Sequence, residues 1–460
     1  MLRYARRRFL FSASLAIALS ARCQSWNKFW LDGIFTSFSF EPAQTRLAKS
    51  YAGVISGNAI SVAIPYGPGN TSLAATFSAK ARLVTVNGVT QQSGVTLNNF
   101  SSPVDYIVTE ESGIQRTYTV TLFQTTPVTD TGQTICTAGE SGITPCPAAG
   151  SPGQDADYPE FPEPRSFQAQ TINPLYPNDF FNIDTATGVA WKGCDEGQTG
   201  STCVGGPTPL SQSVAATTCS GLNAANSGAG YGGRTDWRLP HFRELMQFQK
   251  FSTASVFADT ALFPNSAAAA NRWTSGLVLP ASTNAIVLGG NIGSTPVGSG
   301  SVSTRCVAGG SFPAPAWQDN GDGTIYEKRT GLTWQKCAIG QNNDATCSGT
   351  ITQITWSNSL TACKNLTLAG KSWRLPNMNE IVNLIDLTRT SAPFVNATYF
   401  PGFPTVGATT PHFWTSTTLV SNDVYAYLFN GNGIATATID TKNNGVVGGN
   451  SYHARCVSGP

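Results

Sequence analysis

KSWRLPNMNEIVNL, residues 371–384, nearly repeats an earlier stretch, TDWRLPHFRELMQF, residues 235–248. Trp-Arg-Leu-Pro is consecutive in both, and a glutamate follows four residues after the proline. A proline in the first turn of a helix loses nothing by lacking an N–H, so a helix is expected to start at Pro376. Met378, Ile381, Leu384 and Ile385 then share a face, with a weaker stripe of Leu245, Phe248 and Gln249 in the first copy. Trp373 and Leu375 are expected in the core. Arg374, set between apolar residues, is expected to fork onto a buried carboxylate, and Glu380 (Glu244 in the first copy) is the partner in reach. The alternative is that Arg374 and Glu380 line a ligand site. Packing is preferred, because both copies keep the word while their loops differ.

Further words repeat in the same order. TGVAWKGC (187–194) matches TGLTWQKC (330–337), and SVAATTC (213–219) matches SNSLTAC (357–363). RWTSG (272–276) matches FWTST (413–417), and TRCV (304–307) matches ARCV (454–457). Each copy is domain-sized, so the chain carries a tandem duplication and not a solenoid of small units. What both copies keep reads as frame; what one keeps alone is a candidate for function.

The eleven cysteines fit an oxidising compartment. Cys136 and Cys146 form a close pair. Cys194, Cys203, Cys219 and Cys306 form one set, and Cys337, Cys347, Cys363 and Cys456 another. The spacing points to short ties, Cys194–Cys203 and Cys337–Cys347, and long ones, Cys219–Cys306 and Cys363–Cys456. On loop closure the long ties are worth about 4–5 kcal/mol and the short ones about 2.5–3 kcal/mol. Four cysteines allow three connectivities, so sequence leaves the pairing open. Zinc is disfavoured: no Cys-x-x-Cys occurs, and the three histidines, His241, His412 and His453, are scattered.

The order DNGDGTIYEKRTGLTWQKC, WRLPNMNEI, FWTSTT, ARCV resembles the Lcl C-terminal domain family, which ends certain bacterial collagen-like adhesins. The resemblance covers 317–460, and a more degenerate first copy covers 166–310. It implies two disulfide-tied α+β domains of C-type-lectin-like outline, similar to sulfatase-modifying factors, and a role in adhesion to glycans, including sulfated ones.

Ahead of the repeats, residues 35–123 read as a β-sandwich. NAISVAIPYG alternates at Ile60, Val62 and Ile64; Asn87-Gly88 is a hairpin signal; Tyr118, Val120 and Leu122 share a face. The segment resembles the Ig-like or cadherin-like modules of bacterial surface proteins, and a spacer role is expected. Residues 124–165, rich in Pro, Gly and Thr, read as a linker. SFPAPA (311–316) is the joint between repeats. The fold class is thus mainly β plus α+β.

The first residues, MLRYARRRFLFSASLAIALSARC, have a basic head and an apolar run too short to span a bilayer, the pattern of a signal peptide over 1–22. Cys23 follows it. Ten cysteines pair within the chain and Cys23 is left over, as the acylated first residue of a lipoprotein would be; plain cleavage with a free thiol is the alternative. The net charge of +2, less the five arginines of residues 1–22, leaves −3, and nothing supports nucleic-acid binding.

No nucleophile with a base, carboxylate pair or metal cluster recurs between the copies, so no catalysis and no cofactor are expected. DNGDGT (319–324) lacks the spaced ligands of a calcium loop and reads as a tight turn ahead of a strand over 325–334. For a glycan, Tyr425, Tyr427 and Phe429 alternate on one strand face in the second copy only. A half-buried core strand is the preferred reading for them, a stacking platform the alternative. Lys328, Arg329, Lys336, Lys364, Lys371 and Lys442 could supply a cationic patch, though each reads first as solvated surface charge. The expected function is binding at the cell surface or outer membrane, to glycans or extracellular-matrix proteins, with a lipid anchor if Cys23 is acylated. An envelope scaffold is the alternative, and an unrecognised enzyme a weaker one.

Overall fold

The computed structural model describes residues 34–42, 47–69, 71–148, 151–252, 259–266, 271–277, 284–288, 292–296, 302–404, 411–431, 437–442 and 452–459. Cys23 and the rest of the N-terminal stretch lie outside them. Two compact units emerge: Met1–Ile64 with Asn70–Phe123, and Pro65–Gly69 with Gln124–Pro460.

The first unit is a sandwich of two antiparallel sheets. Its strands are β1 (Ile34–Phe40), β2 (Tyr51–Ala52), β3 (Val54–Ser56), β4 (Ala59–Pro65), β5 (Ser72–Lys80), β6 (Leu83–Val86), β7 (Val89–Thr90), β8 (Leu97–Asn99), β9 (Val104–Thr109) and β10 (Gln115–Thr125). One sheet runs β2-β1-β5-β8, the other β3-β4-β10-β9-β6-β7. The alternation read from sequence is the burial pattern: Ile60, Val62, Ile64, Tyr118 and Val120 point inward. Phe35 meets Tyr118 edge-on at 5.1 Å, and Phe40 meets Phe100 at 5.0 Å. At the β6–β7 hairpin Asn87 and Gly88 have φ of 50° and 79°, the two left-handed residues that a type I′ turn requires.

In the second unit the two repeats are built alike. A small hairpin in the preceding segment comes first, β11 (Cys136–Thr137) with β12 (Ile143–Thr144). The first repeat then has β13 (Phe167–Ile172), β14 (Phe180–Asp184), β15 (Ala190–Lys192), helix α1 (Gln212–Gly221), β16 (Trp237–Arg238), helix α2 (Phe242–Phe248), β17 (Arg272–Leu277), β18 (Asn284–Leu288), β19 (Ile292–Pro296) and β20 (Val307–Ala308). The second has β21 (Trp317–Asp319), β22 (Thr324–Glu327), β23 (Thr333–Gln335), helix α3 (Trp356–Lys364), helix α4 (Met378–Ile381), β24 (His412–Thr418), β25 (Tyr425–Asn430), β26 (Ala437–Thr441) and β27 (Val457–Ser458). Each repeat pairs a larger sheet, β13-β14-β15-β20-β16 or β21-β22-β23-β27, with a three-stranded meander, β17-β18-β19 or β24-β25-β26. The disulfides are Cys136–Cys146, Cys194–Cys203, Cys219–Cys306, Cys337–Cys347 and Cys363–Cys456, and none joins one repeat to the other.

Two local expectations shift. The helices begin two residues after the proline: Asn377 and His241 are the N-caps, and Pro376 and Pro240 stand before them. The cap side chain accepts from the backbone N–H while Glu380 or Glu244 reaches back to the cap's own N–H, a capping box that outcompetes proline for the helix start. The strand expected over 325–334 is two strands, because Glu327 accepts from Thr330 N at 2.7 Å and closes a turn at Gly331, φ 77°. The loop at 320–323 is indeed a hairpin turn, between β21 and β22.

The repeated word is repeated because its two helices share one core. Phe242, Leu245, Met246 and Phe248 of the first copy and Met378, Ile381, Leu384 and Ile385 of the second belong to a single buried cluster, with the helices in contact. Every residue of α2 is buried, so its weak one-sided stripe is explained: it is covered on both sides.

Residues 124–165 are packed into the same unit. Asp155 Oδ2 accepts from the hydroxyls of Thr131 at 2.8 Å and Thr417 at 2.6 Å. Gln133 Nε2 donates to Phe251 O in the first repeat at 3.0 Å and to Thr418 O in the second at 3.1 Å. Asn379 Nδ2 donates to Thr129 O at 2.9 Å, and Lys442 Nζ to Thr137 Oγ1 at 2.9 Å. This strap contains two acids and touches a lysine that burial perturbs. Burial pushes Asp155 up to about 6 and Asp130 up to about 7, and holds Lys442 down at about 7. The acids bind protons more tightly in the folded state, so their contribution is full below a pH of about 4 and fades as pH rises through about 6–7. The folded state resists the lysine's proton, so stability climbs from a pH of about 7 toward about 10.4. The melting temperature is therefore expected to dip near neutrality, with Asp155→Asn flattening the acid limb and Lys442→Met the alkaline one. A profile level from acid to alkaline pH in the unmodified chain would rule this out.

Candidate functional site

Arg374 forks onto Glu380 with both outer nitrogens, and Glu380 Oε2 also accepts from Asn377 N at 2.9 Å. In the first repeat Arg238 holds Glu244 at 2.8 and 2.7 Å, and Tyr66 donates to the same carboxylate at 2.7 Å. Glu380 is fully buried and Arg374 nearly so. Their hydrogen bonds run to each other, to a helix N-terminus and to backbone carbonyls, Gly459 O for Arg374 and Gly309 O for Arg238 among them.

Tyr427 and Phe429 are also buried. Tyr427 meets Phe251 of the first repeat edge-on at 5.1 Å, and Phe429 meets Phe403. Tyr425, at the end of β25, is half-buried. Of the six cations considered for a patch, Lys442 is buried, its ammonium 4.0 Å from the centre of the Trp356 ring. Among the described residues the grouping of metal-ligand atoms is Cys136, Cys146 and Asp157, and the two sulfurs are bonded to each other.

A groove of about 370 Å³ lies instead at the joint between the repeats. It is lined by Phe312 to Pro315, Trp317, Asp386, Thr388 and Asn396, together with His241 and Arg243. Trp317 is the one tryptophan among the described residues that is not buried. It stands edge-on to Phe400 at 5.3 Å, with the half-buried Tyr399 ring 6.3 Å away. Asp386 Oδ1 accepts from Thr388 N and Oγ1, which fixes the carboxylate. Arg243 donates Nη2 to the carbonyls of Asn383 and Ile385, capping the C-terminal end of the helical segment, as Arg165 does for Gln247 and Gln249 in the first repeat. Burial holds the Arg243 guanidinium down at about 10 and keeps His241 neutral. His241 and Phe312 stack at 4.5 Å and 10°. Aromatic faces with fixed carboxylate, amide and hydroxyl groups around them suit a sugar ring, whose C–H face stacks and whose hydroxyls bond at the rim.

Trp317 lies outside the repeated words of the sequence. The signal was present in the duplication: Trp317 and Tyr399 stand where the first copy has Phe167 and Leu262.

A family model described as the Lcl C-terminal domain matches residues 182–308 and again 323–458, together more than half of the chain. The chain belongs to the Lcl C-terminal domain family. A second model, the N-terminal domain of SGBP (surface glycan-binding protein) type, matches residues 36–122. No curated protein matches. Among solved structures, a candidate glycoside hydrolase from Bacteroides thetaiotaomicron is 24% identical over 23% of this chain and 29% of its own, at a TM-score of 0.17. The chain spans under a third of that protein's length, and a likeness this small carries no argument.

The two Lcl C-terminal repeats differ in what surrounds one buried arginine. In the first, Arg305 donates Nε to Asp195 at 2.9 Å and Nη2 to Ser266 at 2.9 Å, while Arg272 reaches Asp195 at 2.6 Å. Burial pushes the Asp195 carboxyl up, but the two guanidiniums outweigh it and hold it below its ordinary range. In the second repeat the three partners are Ala338, Phe403 and Phe413. Arg455 there lies 5.0 Å from the Phe400 ring, 5.7 Å from Phe403 and 5.9 Å from Phe413. Arg305 also lies 5.5 Å from the Phe248 ring and 5.4 Å from that of Phe263, so the twin replaces the ion-pair partners with further rings.

Proposed function

We propose that this chain is a non-catalytic glycan-binding protein of the cell surface and that the second repeat takes its ligand in the groove beside Trp317. The observation that carries the reading is half-exposed Trp317, a tryptophan in one repeat only, which lines the groove with Asp386, Thr388 and Asn396 and has the Tyr399 ring 6.3 Å away. The surface glycan-binding type of the N-terminal module and the disulfides agree with a place outside the cytoplasm. Ten paired cysteines leave Cys23 for acylation after an export signal, which would tether the chain by lipid. Export, the tether and the adhesion target are parts of the same proposal.

Trp317 is also the reporter. Titration with soluble oligosaccharides that score on a glycan array is expected to shift its emission saturably. Trp317→Ala is expected to weaken binding by about tenfold, the loss of roughly 1.4 kcal/mol of stacking, with the melting temperature little changed. Equal binding by Trp317→Ala across the array would remove the groove from the function.

A further inference from the structure

The repeats differ in what covers the first long helix of each. In the second repeat the strap lies along α3. Trp356, at the start of that helix, sits under the Lys442 ammonium, which bonds to strap residue Thr137. One turn on, Leu360 meets Gly153, whose added Cβ would lie 4.0 Å from the leucine Cβ. Arg374 lies under the rings of Phe161 at 4.6 Å and Tyr158 at 5.7 Å. Thr417 donates to Asp155. The strap therefore runs over a groove made of Trp356, Leu360, Arg374 and the Ser416-Thr417 strand.

The matched positions of the first repeat are Gln212, Ala216, Arg238 and Ser275-Gly276. There Trp has become Gln, Leu has become Ala and Thr has become Gly. Gln212, Ala216, Arg238 and Ser275, with Ser220 and His241, line an open cleft of about 420 Å³. One face of a duplicated module is thus filled by its own chain in the second copy and open in the first. Smaller side chains at two matched helix positions, Gln212 for Trp356 and Ala216 for Leu360, line the opening.

We propose that this cleft docks an extended peptide segment of a partner protein, of the kind the strap presents: proline-flanked, with two aromatic residues three apart. The second repeat shows what the groove is shaped to hold. The retained arginine offers its face to a ring, as Arg374 does to Phe161. Gln212, Ser220 and Ser275 offer amide and hydroxyl groups to an extended backbone, the polar share of a peptide groove. A glycan in the same cleft is the competing occupant, and the observed peptide in the twin groove decides against it.

The test uses the full chain and a fluorescent synthetic peptide of strap sequence, SPGQDADYPEFPE (151–163), read by anisotropy. Saturable binding is expected, and Ala216→Trp and, separately, Gln212→Trp should each raise Kd at least tenfold. Both positions are half-buried on the helix surface, and an unchanged melt verifies folding of each variant. A peptide with Tyr158→Ala and Phe161→Ala should fail to bind. Trp317→Ala should leave peptide binding intact, which separates this site from the glycan groove. No saturable binding up to millimolar peptide, binding indifferent to both helix variants, or glycan binding lost in Ala216→Trp while the peptide never binds, would each overturn the proposal.

Discussion

A chain lacking residues 126–165 is expected to lose the cooperative unfolding of its second unit, not merely to melt a few degrees lower. The deletion uncovers Asn379, Thr417, Gln247 and the backbone of Phe251 and Thr418, each now bonded to the strap. Each hydrogen bond to the strap is worth about 0.5–1.5 kcal/mol net. Five such losses, with the apolar surface the strap covers, reach into the whole stability of an ordinary domain, about 5–15 kcal/mol. The strap also bonds to both repeats through Gln133 and caps α2 through Arg165. Calorimetry of the deleted chain should show no two-state transition. A sharp transition within a few degrees of the parent would show the repeats to be self-sufficient.

Asp195→Ala should be nearly as damaging. It leaves Arg272 and Arg305, both with no exposed surface, without their shared carboxylate. Removing one partner of a buried ion pair costs about 3–5 kcal/mol, and here two cations are stranded. The second repeat supplies the remedy. Asp195→Ala combined with Arg272→Phe and Ser266→Phe installs the set found around Arg455, and should recover most of the loss through ring contacts to Arg305. Denaturant midpoints of the single and triple variants measure this. A triple variant no more stable than Asp195→Ala would mean that the aromatic cage depends on features of the second repeat beyond these positions.

Much of the frame was legible in residues. The alternation at Ile60, Val62 and Ile64 and the Asn87-Gly88 turn describe the sandwich because side chains in a strand alternate by geometry alone. Arg374 and Glu380 were legible as a pair because an arginine between apolar residues must take a buried acceptor. The helix starts two residues past Pro376, because a capping box forms from side chains whose reach is a matter of rotamer. The period-2 run of Tyr427 and Phe429 reads first as a core strand, and both are buried, Tyr427 against Phe251 of the first repeat and Phe429 against Phe403 of its own. Trp317 went unnoticed because its partner Tyr399 lies far along the chain.

By itself the sequence determined the duplication, the classes of the modules and the likeness of the two disulfide frames, all of which rest on local periodicity and on identical words in identical order. Only the tertiary structure decided that the two helices share one core, that the Pro/Gly/Thr-rich segment binds both repeats, and that matched surfaces are filled in one copy and open in the other. Those facts depend on which surfaces meet, and burial between distant segments leaves no periodic trace in either one.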